Sequence, residues 1–211
     1  MDSSVFDEDY FIRGKSSGKS LYENYTWLPD LTIPMACAMV RHLGIESDDT
    51  ILDFGCARGY LVRAFRELGY HAWGYDISQW ALENADPKIK EYLIRNESTL
   101  VKNTYDWVNA KDVLEHVDSE ELDEVVDTLK IANKGVFVVV PLAHGKKYDI
   151  PEYELDVTHI HRHPLSWWVS RFLETGWIVE ASYRVRGVKD NYWRPGFEEG
   201  NGFITCYQIK E

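Results

Sequence analysis

The chain has few cysteines, few basic residues and no long apolar run. Its three cysteines, Cys37, Cys56 and Cys206, are odd in number and far apart, so they fit neither a disulfide framework nor a zinc ribbon. This usage favours a reducing compartment, and we expect a cytoplasmic protein. No apolar run approaches the roughly 18 residues of a membrane span. The acidic N-terminus also differs from the basic start of a signal peptide.

The charge balance argues against one class of partner. The sequence holds 35 Asp and Glu residues against 23 Lys and Arg residues, which gives a formal net charge of −12 at pH 7. Nucleic-acid binding draws much of its free energy from basic side chains that displace counterions. We therefore expect a small-molecule substrate in preference to nucleic acid, while the composition predicts nothing about the oligomeric state.

Length and hydrophobicity limit the number of domains. With 211 residues, of which 45% are hydrophobic, the chain can bury one sizeable core. Residues 1–30 are polar, acidic and aromatic without a clear period, and Gly14 and Gly18 lie among them. We expect residues 1–30 to form an arm that is either flexible or a lid, and residues 31–211 to form a single domain.

Strand-like and helix-like segments alternate along the rest of the chain. The predicted strands cover residues 50–55, 71–76, 91–96, 105–111, 135–140, 177–185 and 203–209. Helical patterns lie between the earlier strands, whereas none separates the last two, so the last strand must be antiparallel. The pattern predicts an α/β fold, with a doubly wound, mostly parallel seven-stranded sheet and a final antiparallel strand.

A glycine turn follows the first predicted strand. Residues 51–59 read ILDFGCARG, an apolar run that breaks into glycines, and Asp76 ends the next predicted strand. Such a turn presents unpaired backbone N–H groups, and a carboxylate at that place can accept the two hydroxyls of a ribose. Ligands of open α/β sheets bind at the carboxyl ends of the strands, where the long segments 141–163 and 186–202 also fall. These two segments are candidate substrate loops.

Three segments together resemble a known family. Residues 52–59 (LDFGCARG), 74–77 (GYDI) and 106–117 (DWVNAKDVLEHV) are similar, in the same order, to motifs of the class I S-adenosylmethionine-dependent methyltransferases. The resemblance implies a Rossmann-like methyltransferase fold and S-adenosyl-L-methionine as the cofactor. It also implies methyl transfer to a small-molecule acceptor, for which we expect oxygen. Independently, an acidic cavity mouth suits a sulfonium cation better than a pyrophosphate.

The resemblance also implies a set of cofactor-binding residues. The glycine turn would contact the methionine and ribose parts, Asp76 would bind the ribose hydroxyls, and Ile77 would pack on the adenine. The full implied set is Asp53, Gly55, Cys56, Ala57, Gly59, Asp76, Ile77, Asn96 and Lys111. Ala57 stands where the family motif has its middle glycine.

Histidines are the candidates for proton transfer. Methyl transfer is an in-line displacement that needs no protein nucleophile, but a hydroxyl acceptor benefits from a general base. His159, His161 and His163 alternate before Pro164, so an extended backbone would point them to one side. We expect His161 and His116 to act in catalysis, and His159 and His163 to contact the substrate. We assign no metal site, and a metal-dependent enzyme using this histidine segment is an alternative, as are purely structural roles.

Two aromatic groups complete the candidate site. Tyr22, Tyr25 and Trp27 precede the first predicted helix and would either form a lid over the cofactor or pack against the sheet edge. The last long loop contributes the substrate candidates Tyr192, Trp193 and Arg194. A non-catalytic cofactor-binding module with the same fold is the alternative function.

Overall fold

The computed structural model of the protein describes residues 2–100 and 105–208. Its α-helices are α1 (Glu8–Ile12), α2 (Gly14–Ser17), α3 (Pro29–Leu43), α4 (Tyr60–Glu67), α5 (Gln79–Glu83), α6 (Leu122–Thr128) and α7 (Leu165–Glu174). Its strands are β1 (Thr50–Phe54), β2 (His71–Tyr75), β3 (Leu93–Ile94), β4 (Tyr105–Lys111), β5 (Ala132–Pro141), β6 (Ile178–Ser182) and β7 (Asn201–Tyr207). None of the described helices is long and apolar enough to cross a membrane.

The seven strands form one sheet in the order β3-β2-β1-β4-β5-β7-β6. Neighbouring strands are parallel except for β7, which runs antiparallel to both β5 and β6. The strand order reverses direction between β1 and β4, which pair with Leu52 opposite Val108 and Asp53 opposite Asn109. The predicted doubly wound, mostly parallel sheet with an antiparallel last strand is therefore confirmed. In the sheet, β7 lies between β5 and β6, and β6 forms the edge.

Strand β5 shows how the sheet builds two cores. Val136, Val138 and Val140 enter the core formed with α6 and α7. Phe137 and Val139 enter the opposite core, formed with α3 and α4. All five side chains are fully buried. Burial on both faces explains why a continuous apolar run, instead of an alternating pattern, marks this central strand.

The third predicted strand is shorter than expected. Of residues 91–96, only Leu93 and Ile94 form a strand, because a 3₁₀ turn occupies the residues before them. A short edge strand leaves few unpaired backbone groups for another chain to pair with. Strand β7 begins at Asn201, and the predicted end of that strand at residue 209 lies outside the described residues.

The N-terminal segment 2–28 packs onto the carboxyl end of the sheet. Its helix α1 buries Tyr10, whose hydroxyl donates a hydrogen bond to Asp156 Oδ2 at 2.7 Å. Ser78, at the start of α5, donates its hydroxyl to the carbonyl of Phe6 at 2.6 Å. The segment is thus joined by hydrogen bonds to two separate parts of the domain.

Two neighbouring residues of α7 test the assignment of the core. Phe172 is fully buried, whereas Leu173 is 54% exposed. We expect Phe172→Ala to lower the free energy of unfolding by about 3–5 kcal/mol, because it removes buried apolar surface and leaves a cavity. Leu173→Ala, the matched control, should change it by less than about 1 kcal/mol. Urea unfolding followed by circular dichroism measures both values, and equal losses would contradict the assignment.

Candidate active site

The turn between β1 and α4 is built from left-handed backbone. Gly55, Ala57 and Gly59 have φ values of +77°, +50° and +75°. A Cβ atom at Gly55 would lie 2.3 Å from Cγ2 of Val113, so this position needs glycine for space as well as for conformation. Ala57 adopts a conformation that side chains disfavour, and its N–H donates to Asp76 Oδ2 at 2.6 Å. That hydrogen bond helps to hold the turn in place.

Asp76 follows β2 and faces the glycine turn. Besides the N–H of Ala57, its carboxylate accepts the N–H of Ser78 on Oδ1 at 2.7 Å. Burial raises the pKa of this carboxyl, and the two backbone donors oppose the rise. Each carboxylate oxygen has a second lone pair, so Asp76 can accept further hydrogen bonds from a ligand in the cavity that it lines.

Two polar side chains on the paired strands β1 and β4 are hydrogen-bonded to each other. The Nδ2 atom of Asn109 donates to Asp53 Oδ1 at 2.5 Å. Burial raises the pKa of the Asp53 carboxyl to about 7, although this hydrogen bond and the ammonium of Lys111 oppose the rise. Asp53 can therefore change its charge near neutral pH.

A cavity of about 880 Å³ opens at the carboxyl ends of β1, β2 and β4. Its volume lies within the roughly 300–1,000 Å³ range of small-molecule sites. The walls come from the glycine turn, the N-terminal segment, the loops after β4 and β5, and the loop between β6 and β7. Most of the predicted cofactor residues line it: Asp53, Gly55, Cys56, Ala57, Asp76, Ile77 and Lys111.

Two predicted cofactor residues are placed elsewhere. Among the residues that the structure describes, neither Gly59 nor Asn96 belongs to the cavity wall. Gly59 instead ends the turn at the N-terminus of α4. The side-chain oxygen of Asn96 accepts the N–H of Ser98 at 3.0 Å in an exposed local turn. This turn takes Asn96 away from the cavity because β3 ends early.

Of the three aromatic lid candidates, two line the cavity and one does not. Tyr22 and Tyr25 line the cavity, whereas Trp27 lies against the guanidinium of Arg63, 4.3 Å from the ring centroid. Burial raises the pKa of both tyrosines, so they are neutral phenols in the folded protein. The N-terminal segment therefore supplies a mainly uncharged, aromatic wall.

Only one of the three candidates in the last long loop reaches the cavity. Tyr192 lines it, whereas neither Trp193 nor Arg194 is among the described residues of the cavity wall. Trp193 lies against the guanidinium of Arg184, 3.6 Å from its ring centroid. Arg194 forms an ion pair with Glu152 at 2.6 Å on the surface. Trp193 and Arg194 thus contact charged side chains, Arg184 and Glu152, and do not line the cavity.

Glu115, His116 and His159 lie together on the cavity wall, with His116 half-buried and the other two buried, and we call them the Glu115 cluster. Nε2 of His159 lies 4.0 Å from Oε1 of Glu115, and the two imidazole rings are 4.7 Å apart. Burial, with the charge of Asp112, raises the pKa of the Glu115 carboxyl. Burial, followed by the neighbouring His159, lowers the pKa of His116 to about 4, and burial also lowers that of His159. Both imidazoles are therefore neutral at pH 7.

His161 and His163, predicted for catalysis and substrate contact, do not join this cluster. Nε2 of His161 is hydrogen-bonded to the carbonyl of Val117 at 2.7 Å, and its ring packs against Trp167 and Trp168. The ring of His163 stacks on Trp167 at 3.6 Å. Neither histidine lies among the described cavity residues. The segment is not a regular strand, so alternation in sequence does not place the three rings on one side.

Sequence reasoning missed the charged groups beside the cluster. Asp112, with a φ of +57°, binds the ammonium of Lys111 at 2.5 Å and that of Lys189 as well. Burial opposes ionisation of Asp112, but the two ammonium groups outweigh it and lower the pKa of the carboxyl. Asp112 and Glu115 lie inside the 106–117 motif and could have been found there, whereas no motif points to Lys189.

Comparison with known proteins agrees with this fold. A family model described as a methyltransferase domain matches residues 35–184. The structure is similar to that of an S-adenosylmethionine-dependent methyltransferase from Archaeoglobus fulgidus, with 17% identity, a TM-score of 0.66, and 86% and 95% of the two chains covered. It is also similar to the 1,6-didemethyltoxoflavin-N1-methyltransferase of Burkholderia thailandensis, with 14% identity, a TM-score of 0.60, and 86% and 80% coverage. No curated protein sequence gives a significant match.

The family match spans most of the sheet, the glycine turn and the Glu115 cluster. Strands β1 to β6 and helices α4 to α7 lie within or across residues 35–184, together with the glycine turn and Asp76. The chain therefore belongs to the class I S-adenosylmethionine-dependent methyltransferases, as the three sequence motifs predicted.

The pKa of Asp53 predicts a specific dependence of stability on pH. An unfolded Asp titrates near about pH 4, so between about pH 4 and pH 7 the folded state holds a proton that the unfolded state has lost. Stability from the neutral carboxyl is thus present at low pH and is lost as pH rises through this window. We expect Asp53→Asn to be almost neutral near about pH 4 and increasingly stabilising up to about pH 7, where the gain approaches about 4 kcal/mol.

Urea unfolding of the unmodified protein and of Asp53→Asn across this pH range measures the difference in their free energies of unfolding. Asp48→Asn, at an exposed position, controls for the loss of one negative charge. A gain from Asp53→Asn that stays constant with pH would contradict the placement of Asp53.

Proposed function

We propose that this chain transfers a methyl group from S-adenosyl-L-methionine to a hydroxyl oxygen of a small-molecule acceptor. One observation carries the proposal. The glycine turn with Asp76 and the Glu115 cluster line the same cavity. A cofactor held at the glycine turn would share this cavity with an acceptor, whose hydroxyl the neutral imidazole nitrogens and the carboxyl of the cluster could hold.

The residues around the glycine turn fit the cofactor. Gly55 lines the cavity without a side chain, and a Cβ atom at this position would clash with Val113. Asp76 retains lone pairs for the two ribose hydroxyls, and Ile77 offers a 41% exposed apolar side chain to the adenine. Cys56 and Ala57 complete this wall, and Asp53 with Lys111 supplies charged groups for the methionine part.

Bound S-adenosylmethionine supplies an electrophilic methyl group: the acceptor oxygen bonds to carbon, the carbon–sulfur electron pair stays on sulfur, and the hydroxyl proton must leave. The protein's part is to align the acceptor and to favour loss of that proton. In-line alignment needs a separation of about 3–3.5 Å between the oxygen and the methyl carbon. Tyr153, whose ring lies 6.0 Å from that of His159, lines the cavity together with Tyr192, and the two tyrosine rings are 5.4 Å apart. Such a wall suits an aromatic or apolar acceptor.

The N-terminal segment would act as the lid. Its tyrosines Tyr22 and Tyr25 stand over the cavity, and their contacts are mostly aromatic, with ring centroids 4.7 Å apart. Enclosing the reacting groups excludes water and strengthens their electrostatic interactions. A segment held by a few hydrogen bonds can open for exchange of ligands.

Calorimetry with S-adenosylmethionine and S-adenosylhomocysteine tests the cofactor site. We expect Asp76→Ala to weaken both affinities by about 10–100-fold, because hydrogen bonds to a charged group contribute about 1.5–3 kcal/mol. Asp86→Ala is the matched control, since Asp86 pairs with Arg63 outside the cavity. No binding to the unmodified protein at high micromolar concentration would overturn the proposal. Incubation with a metabolite extract and labelled cofactor then tests turnover and, from the chemical shift of the transferred methyl, the acceptor atom.

Limited proteolysis tests the lid. Trypsin sites at Arg13, Lys15 and Lys19 lie in the N-terminal segment, and those at Lys146 and Lys147 lie in an exposed turn elsewhere. A ligand that binds only the closed state reduces the open population in proportion to its saturation. We expect S-adenosylhomocysteine at ten times its dissociation constant to slow cleavage of the segment by about tenfold, leaving the exposed turn unaffected. Equal rates with and without ligand would count against a lid.

A further inference from the structure

The Glu115 carboxyl has an unusual environment for a buried acid. Its residue is only 1% exposed. Within residues 2–100 and 105–208, neither carboxyl oxygen has a hydrogen-bond partner. Leaving a buried carboxyl unpaired costs free energy, and a site that accepts this cost commonly serves a ligand. Both oxygens belong to a residue on the cavity wall.

The hydrogen bonds of the two histidines fix where their lone pairs lie. Nδ1 of His159 is 3.0 Å from the carbonyl of Tyr153, which can only accept, so Nδ1 carries the proton. The hydroxyl of Thr158 donates to Asp156 Oδ1 at 2.5 Å, so its oxygen accepts from Nδ1 of His116 at 2.8 Å. In both rings Nε2 is therefore the nitrogen with a lone pair. Metal-binding histidines show this same arrangement, with the second ring nitrogen donating to a protein oxygen.

The three side chains are close enough to share one ion. A ligand atom from each of Glu115, His116 and His159 lies within 4.8 Å of the other two. Two ligand atoms of one ion lie about 3–4 Å apart when each is about 2.0–2.2 Å from it, so side-chain shifts of about 1 Å would close the site. The backbone already joins the two segments, since the N–H of Ile160 donates to the carbonyl of Glu115 at 3.0 Å.

Both acidic and basic groups lie around the cluster. Asp156 Oδ2 lies 3.9 Å from Nε2 of His159. Lys111 and Lys189 both bind Asp112, and in the described part of the chain neither forms an ion pair with Glu115. A carboxylate with two imidazole nitrogens suits a transition-metal ion, whereas Mg²⁺ and Ca²⁺ prefer oxygen ligands throughout.

We propose that Glu115 and the Nε2 atoms of His116 and His159 bind one divalent transition-metal ion, whose remaining positions face the cavity and take the acceptor's hydroxyl oxygen. The role toward the acceptor rests on the proposed function, while binding of the ion does not. A coordinated hydroxyl has a lower pKa, so its proton leaves to water more readily before the oxygen takes the methyl group. The metal site thus involves His159 but not His161 or His163.

Metal binding to the untagged full chain tests this inference. After removal of metals with a chelator, the protein is titrated with Zn²⁺, Mn²⁺ and Mg²⁺ by calorimetry, and with Co²⁺ by visible absorption, which reports nitrogen ligands. We expect one Zn²⁺ or Mn²⁺ per chain, with weaker binding of Mg²⁺. Glu115→Gln and His159→Asn should each weaken the binding by at least about tenfold.

Two control variants exclude other sources of binding. His163→Ala changes a histidine of the same segment that lies outside the cluster, and Glu46→Gln changes an exposed acidic group that could also attract cations. Both should bind the metal as the unmodified protein does. Absence of a bound ion in the unmodified protein, or equal binding by Glu115→Gln and His159→Asn, would overturn the inference.

Titration of the same samples with S-adenosylhomocysteine separates the two proposals and also reports folding of the variants. Retained cofactor binding by Glu115→Gln together with lost metal binding would support a specific ligand role for Glu115. Cofactor binding without metal binding would leave the proposed methyl transfer in place and remove the metal site. Metal binding without cofactor binding would support the metal site and overturn the proposed methyl transfer.

Discussion

The parallel pairing of β1 with β4 is the constraint on which the cavity depends. Asp53 lies opposite Asn109 in this pair and is hydrogen-bonded to it, so the two strands end side by side. The glycine turn follows one strand and the Asp112 to His116 stretch follows the other. Because the strand order reverses here, the connecting helices lie on opposite faces and leave a crevice between the two loops. The predicted cofactor residues that line the cavity and the Glu115 cluster both belong to its wall.

The remaining walls depend on segments distant in sequence. The loop after β5 carries His159, and its Asp156 is joined to Tyr10 of the N-terminal segment. Strand β7 returns antiparallel beside β5, which brings the preceding loop, with Lys189 and Tyr192, to the same end of the sheet. Each wall alone is a polar or aromatic loop, and together they enclose buried carboxyls and imidazoles whose pKa values shift because solvent is excluded.

Much of the fold could be predicted because its signals are local and repeated. The apolar run of β5 and the helical stripe containing Phe172 reflect burial that each element carries in its own composition. The turn at Gly55 and the acid at Asp76 were recognisable for the same reason. Residues such as Lys189 could not be found in this way, because a loop without a regular period gives no indication of where its side chains point.

The amino-acid sequence by itself determined the strand and helix order, the sheet class, the glycine turn and the family. Only the tertiary structure decided which histidines meet. His159 and His116 are 43 positions apart, and their rings come together through hydrogen bonds to Tyr153 and Thr158, while His161 turns toward the tryptophans of α7. Strand and helix formation follow from neighbouring residues. The direction of a side chain in an irregular loop depends on partners that the chain reaches only after it has folded.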